Sequence, residues 1–113
     1  MISKEILNDT DAVYNFMDGE KVLGYLEIRL VDGVLDIMNL FVNEEERRKG
    51  IATSLMNEVI EKEDYSRIML EVNEHNKIAI ALYQKYHFKQ VGIRKKYYKG
   101  TDGALIMTLK IKN

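Results

Sequence analysis

Residues 47–52, Arg-Arg-Lys-Gly-Ile-Ala, set three cations directly before a glycine, a large aliphatic residue and an alanine. Glu44, Glu45 and Glu46 stand directly before the cations. Such a stretch supports two readings. A helix N-terminus offers unpaired N–H groups and the positive end of the helix dipole, and small residues there, here Gly50 and Ala52, let an anion reach the backbone. Alternatively Gly50 simply starts the helix, the glutamates complement the dipole and the cations are solvated. Spacing alone leaves both open, although a glycine within a helix costs about 1 kcal/mol relative to alanine and calls for a reason. The rest of the inventory narrows the chemistry. There is no cysteine, which excludes disulfides, thiolate zinc sites and a cysteine nucleophile, and the two isolated histidines, His75 and His87, do not suggest a metal cluster. Catalysis therefore falls to carboxylates, tyrosines, serines or amines, with no metal expected.

The elements that must position these residues follow from periodicity. Residues 12–17, 21–31 and 34–42 read as three extended segments joined by Asp-Gly pairs, which supply the positive φ of tight hairpins and predict an antiparallel meander. From Glu44 the period changes. Ile51, Leu55, Met56, Val59 and Ile60 mark one face of a helix ending near Lys62. Residues 67–72 read as a strand that would pair with 34–42 in parallel through the helical crossover. A second helix is expected over 76–87, with Asn76 as N-cap and Ala79, Leu82, Tyr83 and Tyr86 on one face. Residues 88–99 and 104–111 read as closing strands around Gly-Thr-Asp-Gly, and a short element of unassigned type lies at 3–9.

The expectation is an α+β fold with a mixed sheet in the order β-β-β-α-β-α-β-β. With 113 residues, 46% hydrophobic and no linker or repeat, it predicts a single domain over 1–113. Seventeen basic and eighteen acidic side chains nearly cancel, so there is no overall field for DNA or RNA, and only a local basic patch is left open. No apolar run approaches a membrane span and the N-terminus does not read as a signal peptide, so a cytoplasmic protein is expected.

Residues 42–60 followed by 68–88 resemble the GNAT superfamily of N-acetyltransferases, in particular the bacterial enzymes that acetylate the N-terminal alanine of a ribosomal protein. Arg47, Arg48, Lys49, Gly50, Ile51 and Ala52 fill that family's acetyl-CoA signature Q/R-x-x-G-x-G/A in order. The resemblance continues through Leu70–Val72, Asn76, Ala79–Tyr83 and Phe88, and closes with Tyr97, Tyr98 and Ala104–Met107. It implies a mostly antiparallel sheet with a central splayed parallel pair and an acetyl-CoA core at about residues 34–88. By the same resemblance, the backbones of Leu40 and Val42 hold the pantetheine arm. The amides of 48–53, with the Thr53 hydroxyl, cradle the pyrophosphate, Arg47, Arg48 and Lys49 add charge-assisted contacts, and Asn76 touches the pantetheine.

Glu71 shares one strand face with Met69, and partial desolvation there would raise its pKa toward neutrality. The resemblance assigns it as general base and Tyr83 as the general acid that protonates the leaving CoA thiolate. The reaction implied is direct attack of a neutral amine on the thioester, needing no enzyme nucleophile. An α-amine of pKa near 8 is roughly 10% neutral at pH 7 and a lysine amine about 0.04%, which favours a protein or peptide N-terminus as acceptor. A small-molecule amine acetyltransferase and a non-catalytic acyl-CoA-binding module are the alternatives. Two departures stand out. His87 replaces a glycine expected as a helix C-cap, and only about eleven residues precede the first clear strand, where the family has two helices that help build the acceptor site. The resemblance thus implies a complete cofactor half and a shortened acceptor half, and the exposed cleft edge suggests a homodimer.

Overall fold

The computed structural model describes residues 1–98 and 102–110, and of residues 96–98 the backbone only. The chain divides into two compact units, residues 1–65 and 66–113. The first holds β1 (Ile2–Ile6), β2 (Asp11–Asp18), β3 (Lys21–Val31), β4 (Val34–Val42), one 3-10 turn (Glu44–Glu46) and α1 (Ile51–Lys62). The second holds β5 (Arg67–Asn73), α2 (Lys77–Lys85), β6 (Lys89–Tyr98) and β7 (Asp102–Lys110). No described helix is long and apolar enough to cross a membrane.

In the first unit β1, β2, β3 and β4 pair in sequence order, each antiparallel to the next. Asp32 and Gly33 both take positive φ, 50° and 80°, as a two-residue type I′ hairpin requires, whereas the β2–β3 turn has positive φ at Gly19 alone. β1 is the strand that periodicity left unassigned. Its alternation is broken by Lys4, whose ammonium pairs with Glu63 at 2.7 Å while the Tyr14 hydroxyl donates to the same carboxylate. Burial and that carboxylate push the Tyr14 phenol well above its ordinary range. The core lies on one sheet face: Leu26, Ile28, Leu35 and Ile37 pack beneath Ile51, Leu55, Met56 and Val59 of α1, all at most 8% exposed. Four of the five residues predicted for the α1 face are thus buried, each contributing about 1.5–3 kcal/mol by area removed from water.

In the second unit β7 lies between β5 and β6 and pairs antiparallel with both. Ile68, Leu70 and Val72 of β5 and Met107 of β7 are buried on one face. Thr108, on the other, is buried and donates to the Ile68 carbonyl at 3.0 Å. The turn expected between the two closing strands falls largely outside the described residues, as do the side chains of Tyr97 and Tyr98.

Candidate active site

α1 begins at Ile51 with Gly50 as its N-cap, in keeping with the helix start expected at Gly50. Glu44–Glu46 form a separate 3-10 turn, Arg47 is extended, Arg48 has φ 66° and Gly50 caps α1 at φ 80°. The first helical hydrogen bond runs from the Ser54 N–H to the Gly50 carbonyl at 2.9 Å. No side chain caps this end and its first turn contains no acidic residue. The glutamates therefore do not complement the dipole from inside the helix. A Cβ built on Gly50 would meet nothing within 4 Å, so glycine is needed here for backbone conformation, and the space beside the first amides is open. Arg48, a non-glycine residue held in the left-handed region, adds strain of about 1–2 kcal/mol. Two of the three cations have local partners: Arg47 Nε donates to the Val42 carbonyl at 3.2 Å and Lys49 pairs with Glu46 at 3.1 Å. Ile51 is buried, Ala52 half-buried and Thr53 exposed.

β4 delivers the other half of this arrangement. Leu40 opposes Leu26 and Val42 opposes Gly24. Because the Asn43 N–H donates to the Leu23 carbonyl, residues 43, 41 and 39 are the hydrogen-bonded positions against β3. The N–H and C=O groups of Leu40 and Val42 accordingly point to the opposite edge of β4. Met38 has no counterpart in β3, since Glu27 pairs with Asn39 and Ile28 with Ile37, and this bulge turns the end of the strand. Gly24 is the residue that sequence reasoning missed. A Cβ there would stand 2.8 Å from the Phe41 carbonyl oxygen, 3.1 Å from Ile51 Cγ2 and 3.3 Å from Val42 Cα. It lets the first residue of α1 settle onto the end of β4; a glycine inside an eleven-residue strand was the available signal.

The second unit holds the other candidates. Asn76 caps α2, its Oδ1 accepting from the Ala79 N–H at 3.2 Å, as expected. At the opposite end the Phe88 N–H donates to the Tyr83 carbonyl and the His87 N–H to the Gln84 carbonyl. With His87 at φ 70° this is a Schellman motif in which a histidine occupies the left-handed position glycine prefers. The motif's hydrophobic contact is Tyr83 against Phe88, ring centroids 5.8 Å apart. Tyr83 is 7% exposed, and burial pushes its phenol above the ordinary range. Glu71 differs from expectation. It is exposed rather than partly desolvated, and its Oε1 lies 3.1 Å from Arg94 Nε of β6. The periodicity of β5 gave no warning of Arg94, which reaches it across β7.

Residues 3–88 match the model of the Acetyltransferase (GNAT) family. The chain is 37% identical over 112 residues to the [ribosomal protein bS18]-alanine N-acetyltransferase of Escherichia coli, covering 92% of this chain and 76% of that protein. The crystal structure of the Escherichia coli ribosomal-protein-S18-alanine N-acetyltransferase superposes with a TM-score of 0.87 over 94% of this chain and 72% of that one. An N-alpha-acetyltransferase of Saccharolobus solfataricus is 44% identical over 75 residues, 63% of this chain; the chain covers 45% of that protein's length. A GNAT structure from Elizabethkingia anophelis with acetyl-CoA bound shares the fold, at a TM-score of 0.81 and 22% identity over 90% of this chain and 77% of that one. The mixed α+β fold, the helix start after β4 and these matches together show that this chain belongs to the acetyltransferase (GNAT) family of N-acetyltransferases.

Proposed function

We propose that this chain transfers the acetyl group of acetyl-CoA to the N-terminal α-amine of a protein or peptide, by direct attack of the neutral amine on the thioester. The observation that carries the reading is the start of α1: a left-handed glycine, no side-chain cap and open space beside the first amides. These features support a diphosphate site over a solvated helix end. Bound acetyl-CoA supplies the activated carbonyl and a thiolate leaving group. The amides of residues 48–53 and the Thr53 hydroxyl receive the pyrophosphate, and Arg47, Arg48 and Lys49 add charge around it. Leu40 and Val42 offer backbone groups on the edge of β4 turned away from β3 to the amides of the pantetheine. Asn76 uses its oxygen for the α2 cap and so has its Nδ2 as the donor for that arm.

In the transfer, the amine nitrogen bonds to the acetyl carbon as the carbon–sulfur bond breaks. Glu71, its carboxylate oriented by Arg94, takes the amine proton directly or through one water. Tyr83 gives its proton to the departing thiolate; a phenol pushed upward by burial is fully protonated at neutral pH, the state a proton donor needs. The test is acetyl transfer by the purified chain to N-terminal peptides and to free small amines, with Glu71→Gln and Tyr83→Phe in parallel. Peptide turnover lost in Glu71→Gln with CoA binding retained is the expected result. Unchanged turnover in that variant rejects Glu71 as base, preference for small amines favours the small-molecule reading, and CoA binding without any turnover leaves only the binding module.

A further inference from the structure

The near-neutral total hides a sharp division between the two units. Residues 1–65 carry seven Lys or Arg against fifteen Asp or Glu, a net of −8, and residues 66–113 carry ten against three, a net of +7, which together give the −1 of the whole chain. The three carboxylates of the second unit are already engaged. Glu71 pairs with Arg94, Glu74 accepts from the Gly103 N–H, and Asp102 accepts from Asn73 and faces His75. The strand register gathers part of the excess on one face. Arg67 of β5 stands directly opposite Lys110 of β7, and Lys89 of β6 stands opposite Thr108, two residues along β7 from Lys110 and so on the same side. Diagonal neighbours of this kind are about 7–8 Å apart. All three are exposed, and among the described residues none has an ion-pair partner. Like charges set directly opposite across a sheet destabilise it, so the arrangement is disfavoured in the isolated protein and relieved by an anion.

We propose that this face of the second unit, carrying Arg67, Lys89 and Lys110, binds the phosphate backbone of a nucleic acid. A strongly basic unit with three exposed cations, unpaired among the described residues and gathered on one face, carries the electrostatic footprint of such binding. An acidic protein partner fits less well, because protein interfaces are organised around an apolar centre. The large apolar residues sharing these rows, Met69 and Ile106, are half-buried; of the exposed aliphatics of β6, Val91 lies alone in the bulge between Gln90 and Gly92, and Ile93 opposes Leu105 and faces the other side. Phosphate contacts need no apolar anchor and carry no sequence preference, so the surface serves to localise the protein rather than to read bases. It shares its face of β5 with Glu71, four residues along from Arg67, but its three cations take no part in the proposed transfer.

The test is fluorescence anisotropy of a labelled 20-nucleotide single-stranded RNA with the whole chain at 50 and 200 mM salt. Three phosphate contacts give a log–log salt slope of about −2, an affinity loss of about twentyfold over that range. The double variant Lys89→Gln/Lys110→Gln should flatten the slope by about 1.4, Lys89→Arg/Lys110→Arg should keep it, and acetyl transfer should be unchanged in both. The double variant Lys21→Gln/Lys62→Gln, which removes the same charge from the first unit, should behave as wild type; circular dichroism checks that each variant is folded. The proposal is overturned if wild type shows no binding at 50 mM salt, if the two Gln variants lose affinity equally, or if polyglutamate of matched length binds as tightly as the RNA.

Discussion

Gly50→Asp separates the two readings of the α1 start because its effects on folding and on ligand binding differ in size and cause. The backbone at residue 50 stays at φ 80°, and a non-glycine residue there costs about 1–2 kcal/mol, at the low end for aspartate. Nothing lies within 4 Å of the added Cβ, so no packing penalty follows, and the melting temperature should fall by about 4–8 °C. Binding is affected differently. The new carboxylate sits at the mouth of the amides proposed for the pyrophosphate, where each of two phosphate charges about 4 Å away repels it by roughly 1 kcal/mol even at the dielectric of water. A loss of about 2 kcal/mol corresponds to CoA binding about thirtyfold weaker, and more where the site excludes water. Gly50→Ala supplies the control, since it carries a backbone cost at least as large without the charge. Calorimetric titration with CoA of all three proteins is the assay. If Gly50→Asp binds within threefold of Gly50→Ala, the anion is not held at this helix end and the argument from the open glycine fails.

Replacing His87 by glycine should stabilise the protein by about 1 kcal/mol in chemical denaturation, because it removes a left-handed histidine from the Schellman turn; a loss of stability would mean that the imidazole makes a compensating contact. Gly24→Ala should destabilise by about 1–3 kcal/mol through overpacking against the Phe41 carbonyl and Ile51, and should weaken CoA binding as well by displacing the α1 start; an unchanged midpoint would show that β4 yields freely. Tyr14, Tyr65 and Tyr83 all have phenols raised above the unfolded value near 10, so the unfolded chain releases their protons first. Stability from these groups is whole below about pH 10 and is lost as pH rises toward their folded values. Absorbance at 295 nm should therefore show three of the seven tyrosines ionising at higher pH in the folded chain than in the unfolded one, and a folded-state titration of all seven that matches the unfolded chain would contradict it.

What the sequence disclosed and what it withheld divide along local and non-local physics. The meander and the buried face of α1 follow from hairpin residues and spacing, both properties of adjacent residues, and Asn76 was identified as a cap by the same kind of rule. β1 was missed because Lys4 interrupts its alternation, and the reason it fits is distant: the carboxylate of Glu63, fifty-nine residues on, meets its ammonium. The start of α1 at Gly50 is legible in the same local way, but the separate 3-10 turn of Glu44–Glu46 and the reversal of backbone hand at Arg48 before it leave no mark in the residue types. Glu71 was expected to be partly buried from its own strand, but exposure was decided by its neighbours in the sheet, and its partner Arg94 lies two strands away. Gly24 shows the same limit, since its need for a bare Cα comes from β4 and α1 rather than from β3. The near-zero net charge concealed the opposed charges of the two units, which appear only once the boundary at residue 65 is known.

The most direct test of the account is calorimetric titration of the wild-type chain with acetyl-CoA. It predicts saturable binding at one site per chain, weakened by the Gly50→Asp charge and indifferent to Glu71→Gln. A titration with no heat and no competition by free CoA at millimolar ligand would contradict the central claim that the bare amides after β4 form a pyrophosphate site.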